Sequence, residues 1–212
     1  MAKYNNGING PFSGRVGPVI GSSWKGIPYM KSLPIRTKKA TAGEKANRAR
    51  FKIAQQWLKP LLNFVRVGFK GYTPTVEGFI AAKSYLMKNA MEGKGAQSRV
   101  NPILMKVSFG DLPLSGNIAM QLSDDKESLQ FTWDTKTIER GYEKDQVMML
   151  AYNIEIGRLS FNTFGALRYT GTDSLRLPSG NKKDSTWHIY VAFVAADRSR
   201  QSDSVYLGEI TF

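Results

Sequence analysis

The chain has 212 residues, 42% of them hydrophobic and 22% charged, with a formal net charge of +13, no cysteine and one histidine, His188. That length and apolar content allow one large domain or two small ones with real cores. Without thiols there are no disulfides, thiolate metal centres or cysteine nucleophiles, and a lone histidine excludes any site built from several.

Residues 1–35 carry glycines at 7, 10, 14, 17, 21 and 26 and prolines at 11, 18, 28 and 34. Helix is excluded by that glycine density, and a central strand by those prolines. Yet Tyr4, Phe12, Val19, Ile20, Trp24 and Tyr29 are spaced through the same stretch and need burial. The expectation is an extended Gly/Pro-rich arm whose six large residues are anchors for another surface. The N-terminus lacks the pattern of a secretory signal, and no stretch approaches the ~18–20 apolar residues of a membrane span. The expected location is cytoplasmic or particle-associated, with signal-independent export left open.

Residues 36–100 read as a basic helical region. Thr41 followed by Glu44 is a capping-box spacing, opening a helix over 42–58 that Pro60 ends. On its wheel Ala46, Phe51, Ile53, Ala54, Trp57 and Leu58 share an apolar face. Lys45, Arg48, Lys52 and Lys59 line the opposite side, with Lys38 and Lys39 just before the helix. Solvated faces normally mix signs, whereas this one has only Glu44 as offset, so it is a candidate contact for a polyanion or an acidic partner. A second helical piece is predicted over 61–67. A third runs over 74–91, with Thr73 as N-cap and Pro74 at the first position. Arg50 and Lys83 fall on apolar helix faces. Either their stems snorkel or each meets a carboxylate, which makes them interface ion-pair candidates.

Charge divides unevenly. Residues 1–100 hold 18 Lys+Arg and 3 Asp+Glu, and residues 101–212 hold 12 and 14. The first half therefore calls for an acidic partner: nucleic acid, an anionic surface, or the second half of a neighbouring copy.

From 101 to 212 short β-rich runs alternate with turns, at 103–109, 117–122, 129–133, 146–153, 159–164, 175–177, 187–195 and 205–212. Strands at this density argue for an antiparallel β-sandwich of immunoglobulin or fibronectin type, with a Greek-key barrel as the alternative. The fold class expected is α+β, divided as 1–35 arm, 36–100 basic helical hairpin and 101–212 sandwich. The sandwich, nearly balanced in charge, is expected to fold alone.

Chemical motifs are few. His188 lies in an alternating strand and reads as structural. Asp124, Asp125 and Glu127 lack the spacing of a calcium loop and read as a hairpin tip. Gly93-Lys94-Gly95 follows a helix and lacks the earlier glycine and following Ser/Thr of a phosphate loop. Serine elbows, dinucleotide fingerprints and H-E-x-x-H motifs are missing from the sequence. No enzyme is expected, and no catalytic, cofactor-binding or metal-ligating residue is assigned.

Three stretches carry a resemblance: the N-terminal G-x-x-G-x-x-I-G-S-S-W-K-G-I-P-Y from Gly14 to Tyr29, the helical middle, and the ending H-I-Y-V-A-F…Y-L-G-E-I from His188 to Ile210. Together they resemble a widespread family of uncharacterised proteins from Bacteroidota, along the whole chain. The resemblance implies a shared layout of glycine-rich arm, basic helices and sandwich, and no ligand or catalytic residue.

The expected function is non-enzymatic self-assembly through the arm into a fibre, tube or shell, the partner being the protein itself. The alternative is sequence-independent nucleic-acid binding by the basic helical half, or a nucleoprotein particle combining both. A weaker alternative is a surface- or carbohydrate-binding module.

Overall fold

The computed structural model describes residues 2–5, 7, 10–24, 26–35, 38–72, 78–136, 138–178 and 185–211. The chain divides into two compact units, 1–41 and 42–212.

In the first unit the expected arm is instead an antiparallel sheet. Strands β1 (Lys3–Tyr4), β2 (Phe12–Val16), β3 (Val19–Trp24) and β4 (Ile27–Ser32) pair in the order β1-β2-β3-β4. The prolines permit this because they avoid the ladder's interior. Pro11 precedes β2, Pro18 sits in the two-residue turn between the paired Val16 and Val19, and Pro34 follows β4. Pro28 lies on β4, an outer strand, where a missing N–H is tolerated. Gly17, with φ 56°, supplies the positive φ that a primed hairpin turn needs. At Gly21 a Cβ would stand 2.2 Å from the Phe12 carbonyl oxygen and 2.5 Å from its ring, so β2 closes over a bare backbone.

The second unit begins with α1 (Ala42–Leu58), directly after Thr41 and ending before Lys59-Pro60 as the sequence implies. It continues with α2 (Leu62–Gly68) and α3 (Gly78–Tyr85), which widens into a π-helical turn over Leu86–Ala90. The predicted cap at Thr73-Pro74 lies outside the described residues. A short hairpin of β5 (Met91–Glu92) and β6 (Arg99–Val100) leads to the β-rich half. That half contains β7 (Ala119–Leu122), β8 (Ser128–Thr132), β9 (Gln146–Asn153), β10 (Arg158–Asn162), β11 (Thr172–Arg176), β12 (Thr186–Val194) and β13 (Val205–Thr211). They form two antiparallel sheets ordered β10-β9-β12-β13 and β11-β8-β7. The fold is mixed α+β, with three α-helices among the described residues.

The packing follows from strand alternation. On β9 and β12, Met148, Leu150, Tyr152, Tyr190, Ala192 and Val194 share one apolar cluster with Ala54, Trp57, Leu58, Leu61, Phe64, Val65 and Leu86 of the helical segment. The intervening residues Val147, Met149, Ala151, Ile189, Val191 and Phe193 pack with Leu129, Phe131, Trp133, Leu175 and Leu177. The four-stranded sheet is thus the middle layer, with helices on one face and the three-stranded sheet on the other. This explains why β9 and β12 are apolar at nearly every position rather than at every second one. The composition break near residue 100 is not a packing boundary, because helices and sheet share a core. Two tyrosines bring polar tips into it: Tyr152 Oη donates to the Trp57 carbonyl at 3.0 Å and Tyr190 Oη to the Pro102 carbonyl at 2.7 Å.

The strand predicted at 103–109 does not form. Ile103 and Leu104 are exposed, and the backbone groups that follow find partners singly rather than in a ladder. Val107 N–H donates to Ser204 Oγ at 2.9 Å, and Phe109 N–H to the Gly68 carbonyl at 2.8 Å. This segment is a strap between the end of α2 and the start of β13.

Candidate functional site

Two surfaces collect the residues that the sequence singled out. The first is the N-terminal sheet. Its register pairs Ile20 with Lys31, Ser22 with Tyr29 and Trp24 with Ile27, which puts Ile20, Trp24, Ile27 and Tyr29 on one face. The alternate positions Phe12, Val16, Val19 and Met30 belong to the other. Phe12, Val19 and Ile20 are half-buried, and Tyr4, Trp24 and Tyr29 are exposed, Trp24 at 63%. Tyr4 leans on Phe12 with ring centroids 5.6 Å apart. Hydrogen bonding with Ser22, and then the charge of Lys31, hold the Tyr29 hydroxyl below its ordinary pKa.

Ile27 and Met30, exposed at 64% and 71%, add one large apolar residue to each of these two faces and escaped the sequence reading. A signal for them was present. Val16-Gly-Pro-Val19 and Trp24-Lys-Gly-Ile27 are each two residues with a glycine between β-prone residues, which is a hairpin pattern. Reading the two turns would have produced the register and with it both faces.

The second surface is the outer side of α1. Lys45, Arg48, Lys52 and Lys59 are all exposed there, and Lys38 and Lys39 are exposed in the first unit. Phe51, assigned by periodicity to the apolar face, is 48% exposed among them. Its helix buries Ala54, Trp57 and Leu58, and Phe51 lies at the margin of that stripe. Lys83 reaches across from α3, its Nζ 4.2 Å from the Phe51 ring centroid and donating to Gln55 Oε1 at 2.9 Å. Arg50 donates to the Met87 carbonyl at 3.3 Å and lies 3.4 Å from Met91 Sδ. The acceptors of both buried-face cations are therefore neutral groups of their own chain.

The remaining candidates are built into the fold. His188 Nδ1 is 2.9 Å from Tyr206 Oη and 3.7 Å from Glu209 Oε2. Burial pushes its pKa down, against the opposing charges of Glu209 and Glu155. Asp125 closes the β7–β8 hairpin by accepting from Ser123 Oγ and then from Glu127 N–H, which holds its carboxyl below the usual range. Among the described residues no group of three or more His, Asp or Glu is arranged to hold a metal ion, and no helix is long and apolar enough to cross a membrane.

A family of unknown function (DUF6266) matches residues 11–208, and the chain belongs to that family. No curated protein and no solved structure matches it.

Proposed function

We propose that this chain is a non-enzymatic structural protein that assembles with copies of itself through its N-terminal sheet. The observation that carries the reading is the sheet's composition across its two faces. Ile20, Trp24, Ile27 and Tyr29 share one face and Phe12, Val16, Val19 and Met30 the other, while Gly21 is the one buried residue described in the unit. A single layer with apolar side chains on both faces has no core of its own, and two layers are the minimum that bury such surfaces. A second copy is the occupant favoured by charge. Residues 1–41 hold seven Lys+Arg and no Asp or Glu, and the body of another copy offers the acidic β7–β8 tip of Asp124, Asp125 and Glu127. A contact of this kind is head-to-tail and propagates into a fibre, tube or shell unless it closes into a ring. We read the two facing sheets of the body as an immunoglobulin- or fibronectin-like sandwich to which a helical layer has been added.

Light scattering on the full chain and on a chain lacking residues 1–35 tests the reading. Assembly of the full chain that rises with concentration and disappears on truncation is the expected result. Two monodisperse monomers across the series would sink it.

A further inference from the structure

The exposed ring of Phe51 is surrounded by one kind of chemistry. Arg48 and Lys52 on α1 and Lys59 just past its end line an open pocket with it, together with the amides of Asn47, Gln55 and Gln56. Lys83 covers one side of the ring and is itself held by Gln55. The one acid of α1 is Glu44, in its first turn. The helix has a full apolar face available, yet leaves this aromatic outside it.

We propose that this patch binds single-stranded nucleic acid, with a base stacked on the open side of Phe51 and the cations on the phosphates. A π-face accepts any base, and cationic side chains beside it neutralise the backbone, so binding of this type is sequence-tolerant and salt-dependent. From Arg48 to the end of α1, with Lys59 just beyond, the axis rises on the order of 15 Å, enough to reach more than one phosphate of a strand. The amides between the cations supply donors and acceptors for base edges. The competing occupant is an acidic loop of a second copy. Carboxylates would use the cations but have no use for a phenyl ring, and the ring is the feature that decides between the two. This inference stands apart from assembly through the N-terminal sheet, since it uses a different surface.

The test is fluorescence anisotropy of a short labelled oligothymidylate with the full chain, across a salt series, with duplex DNA of equal length and heparin as comparisons. Single strand is expected to bind more tightly than duplex. Phe51→Ala should weaken it about tenfold without changing the salt slope. Phe51→Tyr should restore it, and Arg48→Gln/Lys52→Gln should lower the slope by roughly 0.7 for each contact removed. All these side chains are exposed, so the variants keep their fold. Absence of binding overturns the proposal. So does Phe51→Ala without effect, or with equal loss on heparin. A change in oligomeric state with nucleotide affinity intact would assign the patch to a protein neighbour instead.

Discussion

Arg168 and Asp145 lie buried together, guanidinium Nη2 3.3 Å from carboxylate Oδ2, with side chains 2% and 5% exposed. The pair joins the segment entering β9 to the turn before β11. The same stretch is tied by the backbone, Arg168 N–H donating to the Asp145 carbonyl at 2.7 Å and Trp133 Nε1 to the Arg168 carbonyl at 2.6 Å. The guanidinium is also stacked on Phe193, 4.3 Å from its ring centroid. Burial pushes the Asp145 carboxyl up and the Arg168 guanidinium down, each against the partner's charge.

A pair of this kind is costly to break and cheap to replace whole. Asp145→Ala should destabilise the chain by about 3 kcal/mol, because it strands a buried cation. The double change Asp145→Ala/Arg168→Met should cost less than Asp145→Ala alone. Urea midpoints of the two variants decide this. A double variant less stable than the single one would show that the Arg168 stem and stacking, rather than the charge pair, carry the site.

The shared core makes a prediction about fragments. Residues 101–212 without the helices would expose Met148, Leu150, Tyr152, Tyr190, Ala192 and Val194 across the middle sheet. The isolated fragment should therefore bind a hydrophobic dye and show weak amide protection, the reverse of what its balanced charge suggests. A well-protected, dye-silent fragment would mean that the helical layer adds little to the sheets.

Two glycines on helices should respond with opposite sign. A Cβ at Gly68 would stand 2.4 Å from the Val107 carbonyl oxygen, and the Gly68 carbonyl itself accepts from Phe109 N–H. Gly68→Ala should cost about 2 kcal/mol by pushing α2 off the 107–109 strap. Gly43 has open space around it in the first turn of α1, so Gly43→Ala should be neutral or stabilise by about 0.5 kcal/mol. Thermal melts of both variants check the pair, and equal shifts would discredit the close approach at Gly68.

His188 should make stability fall on mild acidification. Its folded pKa lies below the ordinary value of about 6.5, with burial the largest cause. The unfolded chain therefore takes up the proton first as pH drops. The contribution is fully present above the unfolded pKa and is lost as pH falls through the folded one. Denaturation midpoints measured above pH ~6.5 and well below it should differ in the wild type, and the difference should shrink in His188→Gln. A wild-type midpoint that is flat over that range would count against burial as the cause.

For assembly, Trp24→Ala is the sharpest single change. Removing a central aromatic anchor should weaken self-association by about 2 kcal/mol, roughly thirtyfold in concentration. Sedimentation velocity at several concentrations reads this directly. An unaltered profile would move the contact away from the face shared by Trp24, Ile27 and Tyr29.

Local signals were enough for several elements. Thr41 and Pro60 bracket α1, Gly68 closes α2, and the Ser123–Ser128 turn sets a hairpin, because each depends on residues only a few positions apart. Charge asymmetry was likewise readable from composition. The N-terminal sheet was written in two short turns, and was obscured by prolines that sit at its margins.

Other features depended on partners distant in the chain. Alternation on β12 told of two faces, but not that both would be covered, since one cover comes from α1 and α2 and the other from β8 and β11. The 103–109 run has strand composition, yet it is a strap because its backbone meets Gly68 and Ser204 in single hydrogen bonds rather than a neighbouring strand. Phe51 has the spacing of a core residue and lies outside the core because Ala54, Trp57 and Leu58 already fill the contact with the sheet. Periodicity specifies which residues share a face, whereas the width of the buried stripe is set by the shape of the layer packed against it.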